Sequence, residues 1–236
     1  MDCNRVKIQH CSEMVQNFAE ILMSDFTKQS KTRTGLHRSD VIACPLKCYW
    51  RLTGLIKSIY TSQNVGILLI GTLAHIALHK NFDAQEKVFD LDGMDVTVDA
   101  ILGKLHDSPI DYPIESKTTR KRIYRKEDLP EEWLQQLAIA MAVMNVDTGY
   151  LMIFNVITFS MTVWEITMRW DERNMFIDAA KWQKNSILDA VAKRKPELLQ
   201  PKRSECEWCA YRPMRKREDV GCKWYNPMPR KPEPAA

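Results

Sequence analysis

The sequence predicts an α/β domain, a sheet with flanking helices, on three observations. Four segments read as strands: VTVDAIL (96–102), the alternating stretch of Ile114, Glu115, Ser116, Lys117 and Thr118, YLMIFNVITF (150–159) and SMTVWEITM (160–168). Two long stretches, from 131 and from 171, instead repeat apolar residues at helical spacing. The pair Asp92-Gly93 lies between two strand-like runs, the strongest short hairpin signal in the chain.

Taken in order, residues 2–26 carry Val15, Phe18, Ile21 and Leu22 at helical spacing, with Cys3 and Cys11 near the start. TKQSKTRTGLHRSD (27–40) has no apolar period and reads as a basic loop, solvated or touching phosphate. Ser39 is the expected N-cap of a helix through VIACPLKCYWRLTG (41–54), in which Cys44 and Cys48 lie one turn apart. GILLIGTLAHIALHKNF (66–82) is apolar nearly all round, as a helix buried against a sheet must be. Gly71 stands one turn before His75, and His79 offers a second imidazole.

The hairpin in EKVFDLDGMDVTVDAIL (86–102) sets Leu91 opposite Met94 and Glu86 opposite Asp99. Facing carboxylates repel unless a cation stands near them. Asp99 also interrupts a strand whose Val96, Val98 and Ala100 form an apolar face, and a charge there needs a partner or a metal. In the next strand Glu115 and Lys117 share a face, because strand side chains alternate. A plain Asp99–Lys117 salt bridge with Glu115 in solvent is the simpler alternative to a metal-dependent active site.

After Lys117, Arg120, Lys121, Arg122, Arg125 and Lys126 surround Tyr124. Such a run suits single-stranded nucleic acid through phosphate contacts and base stacking, or is a solvated loop. Pro130 opens a helix with Trp133, Leu137, Ala140, Met141 and Met144 on one face and Gln136 beside it. The strands at 150–159 and 160–168 read as a hairpin completing the sheet. A helix over 171–195 buries Phe176, Ala180, Ile187 and Val191 and is closed by Pro196. Beyond it come Cys206, Cys209 and Cys222; the C-x-x-C pair lets two sulfurs reach one metal or cluster from a tight turn, and four thiolates suit zinc or iron–sulfur alike.

With 236 residues, 45% hydrophobic and 27% charged, the chain suits one sizeable core, and its longest apolar run is too short to span a bilayer. A formal charge of +4 is too mild to name a nucleic-acid partner unless the basic residues cluster. Seven Cys behind a polar start without a signal-peptide pattern are expected to be thiolates for metal or cluster binding in a cytoplasmic protein, not a secreted disulfide framework.

The order Gly71-x-x-x-His75, Asp99, Glu115-x-Lys117 and then Gln136 resembles the RecB-like branch of the PD-(D/E)XK nucleases, over residues 39–224. One Cys before this core and three after it resemble the cluster-bearing exonucleases associated with CRISPR adaptation. The resemblance implies the PD-(D/E)XK architecture, a central mixed sheet flanked by helices, and Mg²⁺ or Mn²⁺ held by His75, Asp99, Glu115 and the Ser116 carbonyl, with Asp99, Glu115 and Lys117 catalytic. It implies a [4Fe-4S] cluster on Cys44, Cys206, Cys209 and Cys222, with Cys48 a substitute or a bystander. DNA contacts would fall to Arg120, Lys121, Arg122, Tyr124, Arg125 and Gln136; the Tyr of the family's Q-x-x-x-Y element is Ala140 here. The implied activity is exonucleolytic hydrolysis of DNA from single-stranded ends or overhangs, in CRISPR spacer acquisition or end processing. Expected partners are DNA ends and CRISPR integrase subunits but no membrane, with a homo-oligomer left open. The expected organisation is an N-terminal helix and basic loop (1–38), the nuclease core with its cluster module (39–224) and a disordered Pro-rich tail (225–236). A non-catalytic zinc-bound nucleic-acid-binding module, or an adaptation-complex subunit, is the competing expectation.

Overall fold

Asp92 and Gly93 form the expected two-residue turn, with φ of 53° and 75°. Positive φ at both positions is the type I′ geometry that matches strand twist, which is why an Asp-Gly pair is found there. Leu91 and Met94 exchange both backbone hydrogen bonds across it, at 2.9 and 3.1 Å. The turn joins β1 (Ala84–Asp90) to β2 (Asp95–Leu102). With Gln85 opposite Ala100 and Lys87 opposite Val98, Glu86 stands opposite Asp99, as the sequence predicts.

This computed structural model describes residues 35–55, 69–73, 84–102 and 110–202 together with 206, 209, 211 and 222. The expected first helix, His75 and His79 and the Pro-rich tail lie outside the described residues. Residues 69–73, within the helix expected to be buried all round, are helical, but Ile70 and Leu73 are exposed.

Beyond the hairpin come β3 (Tyr112–Thr119), β4 (Thr148–Asn155) and β5 (Ser160–Thr167), and the five strands lie side by side in chain order. All neighbours are antiparallel except β3 and β4, which are parallel. Parallel strands need a crossover, and the helix over Glu131–Val143 supplies it. A mixed sheet flanked by helices is the predicted α/β architecture.

The helix expected to run on from a Ser39 cap is instead two helices. His37 precedes α1 (Arg38–Ile42), the chain extends at Ala43 and Cys44, and α2 (Pro45–Thr53) begins with proline in its first turn. Pro45 has no N–H to bond back to an earlier turn and disfavours helical backbone at Cys44, so the helix cannot pass through the Cys-Pro pair. The same proline suits a first helical position. The consequence is functional, since Cys44 becomes an N-cap rather than a mid-helix residue.

The crossover helix is α3 (Glu131–Val143), and α4 (Trp170–Lys193) follows the sheet. One apolar cluster joins Leu46, Tyr49 and Trp50 of α2, Met94 and Val96, Ile139 of α3 and Ile187 of α4. A second joins Leu137 and Met141 of α3 to Leu151 and Ile153 of β4. Leu36 is buried in the first cluster, so the packed core begins ahead of Ser39. Among the described residues, no helix is long and apolar enough to cross a membrane.

Gly149 lets α3 lie close on the sheet, because a Cβ there would stand 2.9 Å from Leu137 and 3.0 Å from Met141. Gly149→Val is therefore expected to destabilise the protein by about 1–3 kcal/mol through overpacking. A lower urea midpoint at unchanged slope would show it; an unchanged midpoint would mean that α3 shifts freely.

Candidate active site and cysteine hollow

The acidic site forms where the β2–β3 ladder opens. The ladder pairs Ala100 with Ile114, so the next step sets Asp99 opposite Glu115. Val96, Val98 and Ala100 are wholly buried, and Asp99 falls on the other face by alternation. The Ser116 N–H donates to Asp99 Oδ2 at 2.9 Å. Glu115 is 1% exposed and so does not stand in solvent. The plain Asp99–Lys117 pairing is replaced by a different arrangement.

Lys117 lies on Glu115's face, as strand alternation requires, and its Nζ donates to Glu115 Oε1 at 2.5 Å. Nζ also donates to Gln136 Oε1 at 2.6 Å, so α3 delivers Gln136 to the site although Ala140, where the family pattern has Tyr, is buried among Val98 and Ile101. Asp99, Glu115, Lys117 and Gln136 thus converge, and the Ser116 backbone joins them through its N–H.

Arg38 is the residue that sequence reasoning missed. Its Nη2 stands 2.8 Å from Glu115 Oε2 and 4.0 Å from Asp99 Oδ1, and its Nη1 donates to the Gln136 carbonyl at 2.8 Å. It lies in a stretch without apolar period, and nothing local marks it; only the position of α1 against β2 and α3 brings it in.

These charges set the protonation of the carboxyls. Burial, reinforced by the charge of Glu115, pushes Asp99 up to about 7 despite Lys117, Arg38 and the Ser116 N–H. Burial also acts to raise Glu115, but Arg38 and Lys117 outweigh it and hold that carboxyl below its usual range. Carboxylate oxygens on one face are the donors that a hard divalent cation prefers. Asp99 and Glu115 fit such an ion.

The basic run leaves β3 as a loop. Ile123 is buried and pins it, and the Asn155 amide donates to the Lys121 carbonyl at 3.0 Å. Arg120, Lys121, Arg122 and Arg125 are exposed, and Tyr124 is 71% exposed. A large ring so far in solvent beside four cations is available for stacking.

A second constellation surrounds the N-cap of α2. Cys44, Cys206, Cys209 and Cys222 are all buried and line one hollow with Trp50, Lys202 and Tyr211. Two of the sulfurs accept backbone N–H groups, Cys44 from Lys202 and Cys209 from Tyr211, each at 3.4 Å. Cys48 does not line the hollow; it faces Arg51, and burial, with the charge of Asp40, pushes its thiol up to about 12. Of the two early thiols, therefore, Cys44 is the one that joins the later three. Among the described residues no group of three or more His, Cys, Asp or Glu is arranged to hold a single metal ion. Four buried thiols lining one hollow are a donor set of the kind that either zinc or an iron–sulfur cluster takes.

No protein-family model matches the chain, and no curated protein matches it either. A solved structure described as the crystal structure of SSO0001 resembles it with a TM-score of 0.56 at 17% identity, over 90% of this chain and 98% of that one. A likeness at that identity concerns the fold.

Proposed function

We propose that the chain is a RecB-like PD-(D/E)XK nuclease that hydrolyses phosphodiester bonds from DNA ends, single-stranded or overhanging, with Mg²⁺ or Mn²⁺. The observation that carries this reading is the meeting of Asp99, Glu115 and Lys117 from adjacent strands with Gln136 from the crossover helix. Asp99 and Glu115 would hold the metal, with the Ser116 carbonyl and His75 as the further ligands that the family resemblance implies. Once bound, it supplies positive charge at the scissile phosphate and an acidified water. Lys117, aimed by Glu115 and Gln136, stabilises the charge that develops on the phosphate or orients the attacking water. Cys44, Cys206, Cys209 and Cys222 would hold a [4Fe-4S] cluster in the separate cysteine hollow. CRISPR spacer acquisition is the setting that the cysteine pattern favours, with integrase subunits as partners.

Shortening of an end-labelled single strand in Mg²⁺ or Mn²⁺, abolished by chelator, tests the nuclease. An intact strand, with stoichiometric zinc and no iron in anaerobically prepared protein, would favour the zinc-bound module instead. Labels at either end report polarity in the same assay.

The exposed run makes a separate prediction. Neutralising Arg120, Lys121, Arg122 and Arg125 is expected to weaken DNA binding and flatten its salt dependence by about one unit of slope per lost phosphate contact. Binding measured across salt concentrations checks this, and an unchanged slope returns the run to a solvated loop.

A further inference from the structure

We propose that Arg38 is the resident counter-cation of the carboxylate pair and that a divalent cation enters this site by exchange with its guanidinium. The inference rests on the reading of Asp99 and Glu115 as metal ligands. Each carboxylate has one oxygen already bonded: Glu115 Oε1 accepts from Lys117 and Asp99 Oδ2 from Ser116. The two remaining oxygens, Glu115 Oε2 and Asp99 Oδ1, both face Arg38 Nη2, at 2.8 and 4.0 Å. One cationic nitrogen thus holds the place that a cation shared by the two carboxylates would take.

Burial makes this an exchange rather than a sharing. The Arg38 side chain is 7% exposed and that of Glu115 1%, so both charges have lost most of their water. A second cation added to such a site meets strong repulsion from the first. Arginine does not lose its proton at any physiological pH, so its charge leaves only if the side chain moves. Its backbone is held, since His37 bridges to Asp95 and the Leu36 carbonyl accepts from the Asp95 N–H at 2.9 Å. The guanidinium is the part that gives way, and divalent affinity is set by competition with it.

A purely structural Arg38 would staple α1 to β3 and α3, and its loss would leave metal affinity unchanged or weaken it. A competitor gives the opposite sign. Mn²⁺ binding to the full chain with its cluster, without DNA, is read from loss of the free-ion electron paramagnetic resonance signal. Arg38→Met is expected to bind Mn²⁺ about tenfold tighter than wild type, within the range for two ligands coupled through one site. Arg38→Lys, which keeps a cation on a shorter reach, is expected to fall between them and decides the matter if Arg38→Met does not fold. Unchanged or weaker affinity in the folded Arg38 variants, with binding still lost in Asp99→Asn, overturns the role of Arg38 alone. Mn²⁺ binding indifferent to Asp99→Asn overturns the metal site and the exchange together.

Discussion

Lys117→Met is expected to lower metal-dependent DNA cleavage by about two to three orders of magnitude while the protein stays folded, the loss typical of removing one preorganised charge-stabilising donor. Methionine keeps a stem of similar length and removes only the ammonium that now donates to Glu115 and Gln136. Glu115→Gln should be comparably damaging, because it takes a charge from the metal ligands. Glu115→Ala is a poorer test of the chemistry. It would leave Arg38, 6% exposed, without its partner, and breaking a buried pair in this way costs about 3–5 kcal/mol. Single-turnover cleavage beside a circular-dichroism melt separates lost chemistry from lost fold. Retained cleavage in both Lys117→Met and Glu115→Gln would remove the active site from this face of the sheet.

Cys206→Ala is expected to give colourless, readily proteolysed protein with reduced nuclease activity, although Cys206 touches neither Asp99 nor Glu115. Joining Cys44 to Cys206 closes a loop that contains every strand, and by analogy with a disulfide of that span the link stabilises by about 5 kcal/mol, comparable to the net stability of a domain. The route to the active site is visible as well. Lys202 donates its N–H to Cys44 Sγ and its Nζ to the Ile42 carbonyl at 3.1 Å, and pairs with Glu132 at 2.9 Å. Ile42 ends the helix that carries Arg38, and Glu132 lies one turn before Gln136. Losing the proposed cluster should therefore disturb Arg38, which faces Glu115, and Gln136, which bonds Lys117. A visible spectrum, iron content and limited proteolysis of anaerobic samples check this; a coloured Cys206→Ala protein with wild-type resistance would contradict it.

The parts of this arrangement that were legible in sequence are those fixed by local rules. The Asp92-Gly93 turn sets the register of β1 on β2, and alternation along β3 puts Glu115 and Lys117 together, whatever surrounds them. Gln136 was placed beside the buried face of α3 by helical period alone. Tertiary placement was not legible. Arg38 reaches Glu115 only because α1 packs against β2 and α3, and no spacing within 27–40 encodes that. The choice between Cys44 and Cys48 turned on Pro45, which breaks the helix and lets Cys44 face the hollow while Cys48 turns toward Arg51.

The most direct test is one comparison, wild type against Asp99→Asn on the same end-labelled DNA strand in Mn²⁺ and in chelator. Asp99 contributes its carboxylate where the ladder opens, and asparagine can still accept the Ser116 N–H, so folding and DNA binding are expected to survive the change. Shortening of the strand by wild type in Mn²⁺ alone, with none above background from Asp99→Asn, is the expected result. Equal shortening by the two proteins, or none by wild type in either Mn²⁺ or Mg²⁺, would contradict the assignment of this site to phosphodiester hydrolysis.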